Sequence, residues 1–308
     1  MSATVDQVTT TAPESLEPPR RGRGRRLTSY ILPVYSWLII IGLSVPVFVM
    51  IAFSFNDPPG RQNDKWVGFT TKYYTGIMSQ TQIINAIKLS IAIALIAMVV
   101  ASIFGAFLGI ALGRYRFRGS GAVNYLVFLA IASPEIVLGT SLLALFANQF
   151  RFVKLGVPSI LIAHIMFTTS FVAVTVRARV QGLNPSMEEA AQDLGANPVV
   201  TFLKVTLPLI MPGIISGALL AFALSIDDFV ITYFVSGSVS TFPLLIFGSA
   251  KTGLTPSFNV IGTLLFTFGA LIAVVGAILP NIGERRDAKR LAQDRKSRVE
   301  FDAVGLGL

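Results

Sequence analysis

Ser186-Met187-Glu188-Glu189-Ala190-Ala191-Gln192-Asp193-Leu194-Gly195 is a polar stretch between two long apolar ones, and it runs on through residues 196–204 to Val205-Thr206-Leu207-Pro208. The pattern predicts a short helix, a break and a second short helix. Asn184-Pro185-Ser186 signals a helix start. Ser186 with Glu189 three positions on makes a capping box, in which each side chain covers a backbone N–H that the first turn leaves unpaired. Glu188 and Glu189 in that turn also suit the positive end of the helix dipole. Gly195 can adopt the left-handed conformation that ends a helix. Pro198 can open the next one, because its missing N–H would be unpaired there anyway. Pro208 and Pro212 then begin a long apolar run. A capped, exposed elbow between apolar segments is a shape another protein can grip.

The surrounding chain is a membrane protein by composition. Its 308 residues have a mean hydropathy of +0.69 and are 53% apolar, above the roughly 45–50% of soluble domains even with glycine counted. Cysteine is absent, which excludes disulfides, thiolate metal sites and a cysteine nucleophile. The single histidine, His164, excludes a multi-histidine metal cluster. A net charge of +9 could point to nucleic acid in a soluble protein, but the basic residues lie mostly at the ends of apolar segments. That is the pattern of membrane topology, and no nucleic-acid role is expected. There is no G-x-x-x-x-G-K-[ST] phosphate loop, so ATP, if used, is bound by another chain.

Six apolar spans emerge, at about 30–55, 84–112, 122–147, 158–177, 208–234 and 259–281, each near the ~20 residues a bilayer-crossing helix needs. Backbone groups in lipid must be satisfied internally, so the expected fold is all-α with six transmembrane helices. The expected organisation is a disordered basic tail over 1–28, a transmembrane domain over 29–281 with the elbow at 184–208, and a charged tail over 282–308. With the N-terminus inside, eighteen Lys and Arg fall on inner segments and six on outer ones. This asymmetry predicts that both termini and the elbow are cytoplasmic. The longest outer loop, 56–82, carries Trp66, Tyr73 and Tyr74, read either as an interfacial aromatic belt or as a docking surface for an external protein.

Charged side chains within a span cost at least a few kcal/mol, so each needs a reason. Glu135 follows Pro134 in the third span, where the proline removes a backbone hydrogen bond and opens the helix to water or solute. Asp227 and Asp228 lie near the outer end of the fifth span. Neighbouring residues point about 100° apart on a helix, so one can face a cavity while the other meets a neighbouring helix. Pairing with Lys88, His164 or a partner subunit is the structural alternative. Taken together, three acids with almost no buried cation favour a pathway for a cationic solute. Phe229, Tyr233 and Phe234 could add cation–π contacts, although apolar packing is the safer reading of each alone. For His164 a helix-to-helix hydrogen bond is expected.

The elbow resembles the coupling loop of ABC importer permeases, E-A-A-x-x-x-G, nine residues, I-x-L-P. Here it reads Glu189-Ala190-Ala191, Gly195, Val205-x-Leu207-Pro208, with Val205 in place of isoleucine. Four further stretches are similar to the spermidine/putrescine branch of these permeases, and within it to the second permease subunit. They are 133–139 (SPEIVLG), Ala163-His164 with Phe167, 176–179 (VRAR) and 225–230 (SIDDFV). The similarity covers roughly residues 30–281. It implies a type I importer permease fold and no enzyme activity on this chain. It implies a heterodimer with a second permease subunit, two ATPase subunits that hold Mg-ATP, and an extracytoplasmic solute-binding protein. This chain would hold no cofactor or metal of its own and would sit multi-pass in a bacterial plasma membrane. ATPase coupling would fall to Glu188, Glu189, Ala190, Ala191, Asp193, Gly195, Leu207 and Pro208, and the substrate pathway to Glu135, Asp227, Asp228, Phe229 and Tyr233. The alternatives are an importer permease for another organic cation or opine, and, from a different class, a gradient-driven secondary cation transporter. A membrane-embedded hydrolase would need a positioned base or metal cluster that one histidine does not supply.

Overall fold

A computed structural model describes residues 25–271 and residue 274. Among these the chain is helical, joined by loops and one isolated bridge between Asn56 and Phe69. Helix α1 spans Arg25–Phe53, beginning a turn ahead of the expected span. Its 23 residues Ile31–Phe53 are long and apolar enough to cross a membrane. It belongs largely to a compact unit ending at Ala52, separate from the unit that holds the remaining helices. The expected tail over 282–308 and most of that over 1–28 lie outside the described residues.

In the second unit a short helix α2 (Lys72–Thr75) leads to α3 (Thr81–Arg114), α4 (Ser120–Ala132), α5 (Glu135–Asn148) and α6 (Val157–Gln181). The elbow follows as α7 (Ser186–Asp193) and α8 (Pro198–Thr201). Then come α9 (Leu207–Ile226), α10 (Val230–Val235), α11 (Phe242–Ala250) and α12 (Pro256–Leu271). Among the described residues four helices are long and apolar enough to span, and α4 with α5 makes a fifth if counted as one broken span. The sixth expected span is met in part by α12, which is apolar but shorter; its remaining residues lie largely outside those described.

Packing of α3, α6 and α9 is set by small residues. Ala94, Ala97, Ala101, Gly105 and Gly109 recur every three or four positions along α3 and are buried. A Cβ on Gly105 would lie 2.5 Å from Val172 Cβ of α6, and one on Gly109 would lie 2.6 Å from the Ala173 carbonyl oxygen. From the other side, a Cβ on Gly217 of α9 would meet Val172 Cγ1 at 3.2 Å. Val172 is thus held between glycines of two helices. Lipid chains are as apolar as leucine, so helices in a bilayer associate through such close van der Waals approach. The faces of α3 turned away from this contact carry exposed Ile103, Phe104 and Phe107, as a helix that is apolar all round requires in lipid.

Two spans differ from their expected form. The third is not one kinked helix: α4 and α5 meet at 110° across Ser133-Pro134. Both residues are extended, at φ −68°, ψ 131° and φ −58°, ψ 129°; at Ser133 this follows because proline disfavours the helical region for the residue before it. The fifth ends at Ile226, and Asp227, Asp228 and Phe229 form a break before α10. A second core of Ile93, Leu142, Phe146, Ile160, Phe167, Ile231 and Val235 joins α5 and α10 to α3 and α6.

The loop after α1 is tied by Asn56, which is fully buried. Its Nδ2 donates to Asn63 Oδ1 (2.6 Å) and the Lys65 carbonyl (2.7 Å), and its Oδ1 accepts from Val67 N (2.7 Å). Tyr74 stacks on Phe55 at 5.0 Å and hydrogen-bonds Ser54 Oγ at 2.6 Å, while Tyr73 packs beside Ile77 and Val260. Only Trp66 of the three aromatics singled out is a largely exposed ring. Lys72 pairs with Asp57, and that hydrogen bond raises the Lys72 pKa above its ordinary value.

Candidate functional site

Two clusters of sequence-predicted residues take shape, one at the elbow and one at the two helix breaks. In the elbow, Ser186 is the first helical residue and does not cap it, so the expected capping box is absent. No side chain caps the helix at its N-cap, Pro185; Asn184 instead makes a turn just before it, its Oδ1 accepting from Ser186 N at 3.1 Å. Glu189 is therefore released from the backbone and is exposed, with Ala190 and Asp193 beside it and Ala191 half-buried. Glu188 turns the other way, into the protein. Its carboxylate pairs with Arg114 at the end of α3 and accepts from Thr206 Oγ1 at 2.5 Å. One side chain thus joins α7 to α3 and to the start of α9. Gly195 has φ +87°, and the Ala196 N–H reaches the Ala191 carbonyl at 3.1 Å, closing the helix in a Schellman-type turn. Asn197 caps α8 by accepting from Val200 N at 2.9 Å. A π-helical turn over Phe202–Thr206 then feeds Leu207 and Pro208 into α9. Met187, Leu194, Val199 and Leu203 are exposed apolar side chains along this elbow.

At the breaks, Glu135 opens α5, in a first turn where the helix dipole favours a carboxylate. Glu135 and Asp227 are exposed, Asp228 is buried, and the three are near enough for their charges to interact. Asp228 is fully engaged: its oxygens accept from Ile231 N (3.3 Å), Thr232 N (2.8 Å) and Thr232 Oγ1 (2.7 Å). Its Oδ2 also lies 3.2 Å from His164 Nε2. His164, itself buried, links helices as expected, with Nδ1 2.7 Å from Ser225 Oγ and Nε2 2.9 Å from Thr232 Oγ1. The two aspartates therefore divide, one inward and one outward, by a break in the chain and not by helical phase. Half-buried Phe229 and exposed Tyr233 have ring centroids 5.8 Å apart.

Sequence reasoning missed Phe247, whose ring lies 4.3 Å from Phe229 and 6.3 Å from Tyr233. It sits on α11, nine residues long and too short to register as a span. The signal was present in Thr241-Phe242-Pro243, a helix start with proline in the first turn. The Arg114–Glu188 pair was also missed, because its members are 74 positions apart.

The division of the aspartates makes a testable contrast. Asp228→Asn should lower the thermal stability and folded yield of the chain, since a buried hydrogen-bonded charge is lost beside His164. Asp227→Asn should leave both unchanged. Thermal unfolding of the two purified variants in detergent checks this, and equal behaviour contradicts it.

Residues 105–291 match the family described as binding-protein-dependent transport system inner membrane component. The chain belongs to this family. Among curated relatives, the permease is 38% identical over 252 residues to the spermidine/putrescine transport system permease protein PotC of Haemophilus influenzae, covering 82% of this chain and 95% of the relative. It is 37% identical over 262 residues to the putrescine transport system permease protein PotI of Escherichia coli, covering 83% and 92%. Among solved structures it is similar to a bacterial ABC transporter involved in import of the acidic polysaccharide alginate, with a TM-score of 0.62 at 16% identity, covering 86% of this chain and 99% of that one. The type I permease fold is thereby shown. The permease is an inner-membrane transport component and not an enzyme; in this family ATP is hydrolysed by separate subunits.

Proposed function

We propose that the permease moves polyamines such as spermidine or putrescine across a bacterial plasma membrane by alternating access, as one half of a permease heterodimer. The observation that carries this is the 37–38% identity spread over more than nine-tenths of two polyamine permeases. Exposed Glu135 and Asp227 fit the reading, because they hold negative charge at the mouths of two helix breaks where an ammonium can approach. An anion would be repelled there. A solute-binding protein delivers the amine from outside, and two ATPase subunits bind Mg-ATP on the other face.

The elbow is the ATPase contact in this reading, which puts it and both termini in the cytoplasm. Its outer surface, with Glu189, Ala190, Asp193 and the apolar Met187 and Leu194, meets the ATPase. Its inner surface is anchored through Glu188, Leu207 and Pro208. The chain itself carries no cofactor. Gly195 sits at the tip of this contact with open space around it. Gly195→Leu should cost only about 1–2 kcal/mol of backbone strain, leaving the chain folded, while its side chain obstructs docking. Co-purification with the ATPase subunits should fall several-fold; full recovery of the complex would remove Gly195 from the interface.

The proposal is tested by reconstituting all four kinds of subunit in proteoliposomes. ATP-dependent uptake of labelled putrescine or spermidine is expected. Uptake driven by an ion gradient without ATPase subunits would favour a secondary transporter instead.

A further inference from the structure

The aromatic cluster beside Asp227 already holds an ammonium, and it is the protein's own. Lys251 places Nζ over the Phe247 ring, 4.6 Å from its centroid. Phe247 packs in turn against Phe229 at 4.3 Å, two residues after Asp227. Tyr233 closes the third side, 6.3 Å from Phe247. A cavity of about 500 Å³ opens against Tyr233, Phe247, Gly248 and Lys251, within the range of small-ligand pockets. Tyr233 and Phe247 remain partly exposed, at 53% and 38%, so their faces are open to a solute.

We propose that Tyr233 and Phe247, with Phe229 packed against Phe247, form a cradle for an alkylammonium group, and that Lys251 is a tethered occupant which the incoming ammonium displaces. This rests on the reading of the chain as an importer of organic cations. An ammonium over an aromatic face is held by the ring's negative quadrupole. Phe247 and Lys251 are four positions apart along α11 and its C-terminal residue, so their side chains share one face. A lysine at a helix C-terminus also gains from the helix dipole, but that favours its position along α11 and not the seating of Nζ on a ring. The four-carbon stem is flexible and the side chain exposed, so Nζ can leave without disturbing the fold. In the vacant state Lys251 occupies the ring. When a diammonium solute arrives, one of its ends replaces Nζ at Phe247.

Two measurements on the complete transporter test this. First, its lysines are converted to 13C-dimethyl-lysine, which remains a cation, and the Lys251 resonance is identified by its loss in Lys251→Arg. Ring current should move it upfield; Phe247→Leu should abolish the shift, and butylammonium should reverse it. A resonance at the ordinary position, or one indifferent to butylammonium, overturns the cradle whatever the transporter carries. Second, putrescine uptake is measured at saturating binding protein. Phe247→Leu should lower it about fivefold, the loss expected for one partly exposed cation–π contact. Phe247→Tyr should retain the rate, and Lys251→Met should equal or exceed wild type. A fall in Lys251→Met as large as that in Phe247→Leu overturns the role of Lys251 as a competitor. Wild-type transporter that takes up no polyamine, yet shows the butylammonium-reversible shift, would sink the polyamine reading and leave the cradle standing.

Discussion

Glu188→Gln should leave the ATPase subunits bound to the permease and still hydrolysing ATP, while transport per ATP falls severalfold. The reasoning starts from where the carboxylate points. Glu189, its neighbour, is exposed, but the Glu188 side chain is only 12% exposed and faces Arg114, whose side chain is 32% exposed. Removing one partner of a buried ion pair costs about 3–5 kcal/mol, because the other charge is left unpaired. The partial exposure of Arg114 lowers that figure, so the chain should survive the change. What does not survive is the connection: through Glu188 the elbow is fastened to α3 and, by Thr206, to the π-helical turn that begins α9. Those two helices and α6 form the packed trio. A push on α7 therefore reaches α3 and the start of α9 through this side chain as well as along the backbone of α8 and the π-helical turn. Arg114→Gln should give the same phenotype. The measurement is the ratio of solute transported to ATP hydrolysed in proteoliposomes. An unchanged ratio for both variants would mean that the backbone alone carries the motion.

Gly109→Leu should abolish accumulation of the folded chain. The Cβ alone would lie 2.6 Å from the Ala173 carbonyl oxygen and 2.9 Å from Val176 Cβ. Backbone cannot swing aside as a side-chain end can, so α3 and α6 would have to separate. Overpacking in a core ordinarily costs about 1–3 kcal/mol. A leucine facing the α6 backbone at so close an approach should exceed that range. Gly121→Leu is the control, since nothing lies within 4 Å of a Cβ there. The amount of monodisperse protein extracted from membranes decides the matter. Comparable yields of the two variants would show that α3 and α6 do not need this close approach.

Much of this architecture was legible because its signals are local. Pro134 forces an extended residue before it, so a disturbance beside Glu135 could be read directly; its 110° size could not, because the angle depends on how α5 packs against α10 through Gly139, where a Cβ would approach Phe234 at 2.7 Å. Gly195 and Pro198 announced the elbow and its two helices. The capping box expected at Ser186 is absent because the helix starts one residue earlier than a Ser186 cap requires, with Pro185 at the N-cap and Asn184 holding the turn before it. The separation of Asp227 from Asp228 was anticipated with the wrong cause, a continuous helix in place of a break. The spacing of Gly105, Gly109 and Gly113 every four residues, which marks close helix contact, was not read from the sequence and is found in the packing of α3 on α6. The remaining site features join residues far apart in the chain. Glu188 with Arg114 and Phe229 with Phe247 meet only because α3, α6, α9 and their neighbours pack together.

The central claim joins polyamine import to the elbow, and one complementation experiment addresses both. In cells lacking this chain and any redundant system, uptake of labelled spermidine and putrescine should be lost. Wild-type permease should restore it, and Glu189→Lys, which reverses an exposed charge on α7 without touching the Glu188 pair, should not. Normal polyamine uptake in the deletion cells would contradict the substrate assignment, and full rescue by Glu189→Lys would contradict the elbow as the point of ATPase coupling.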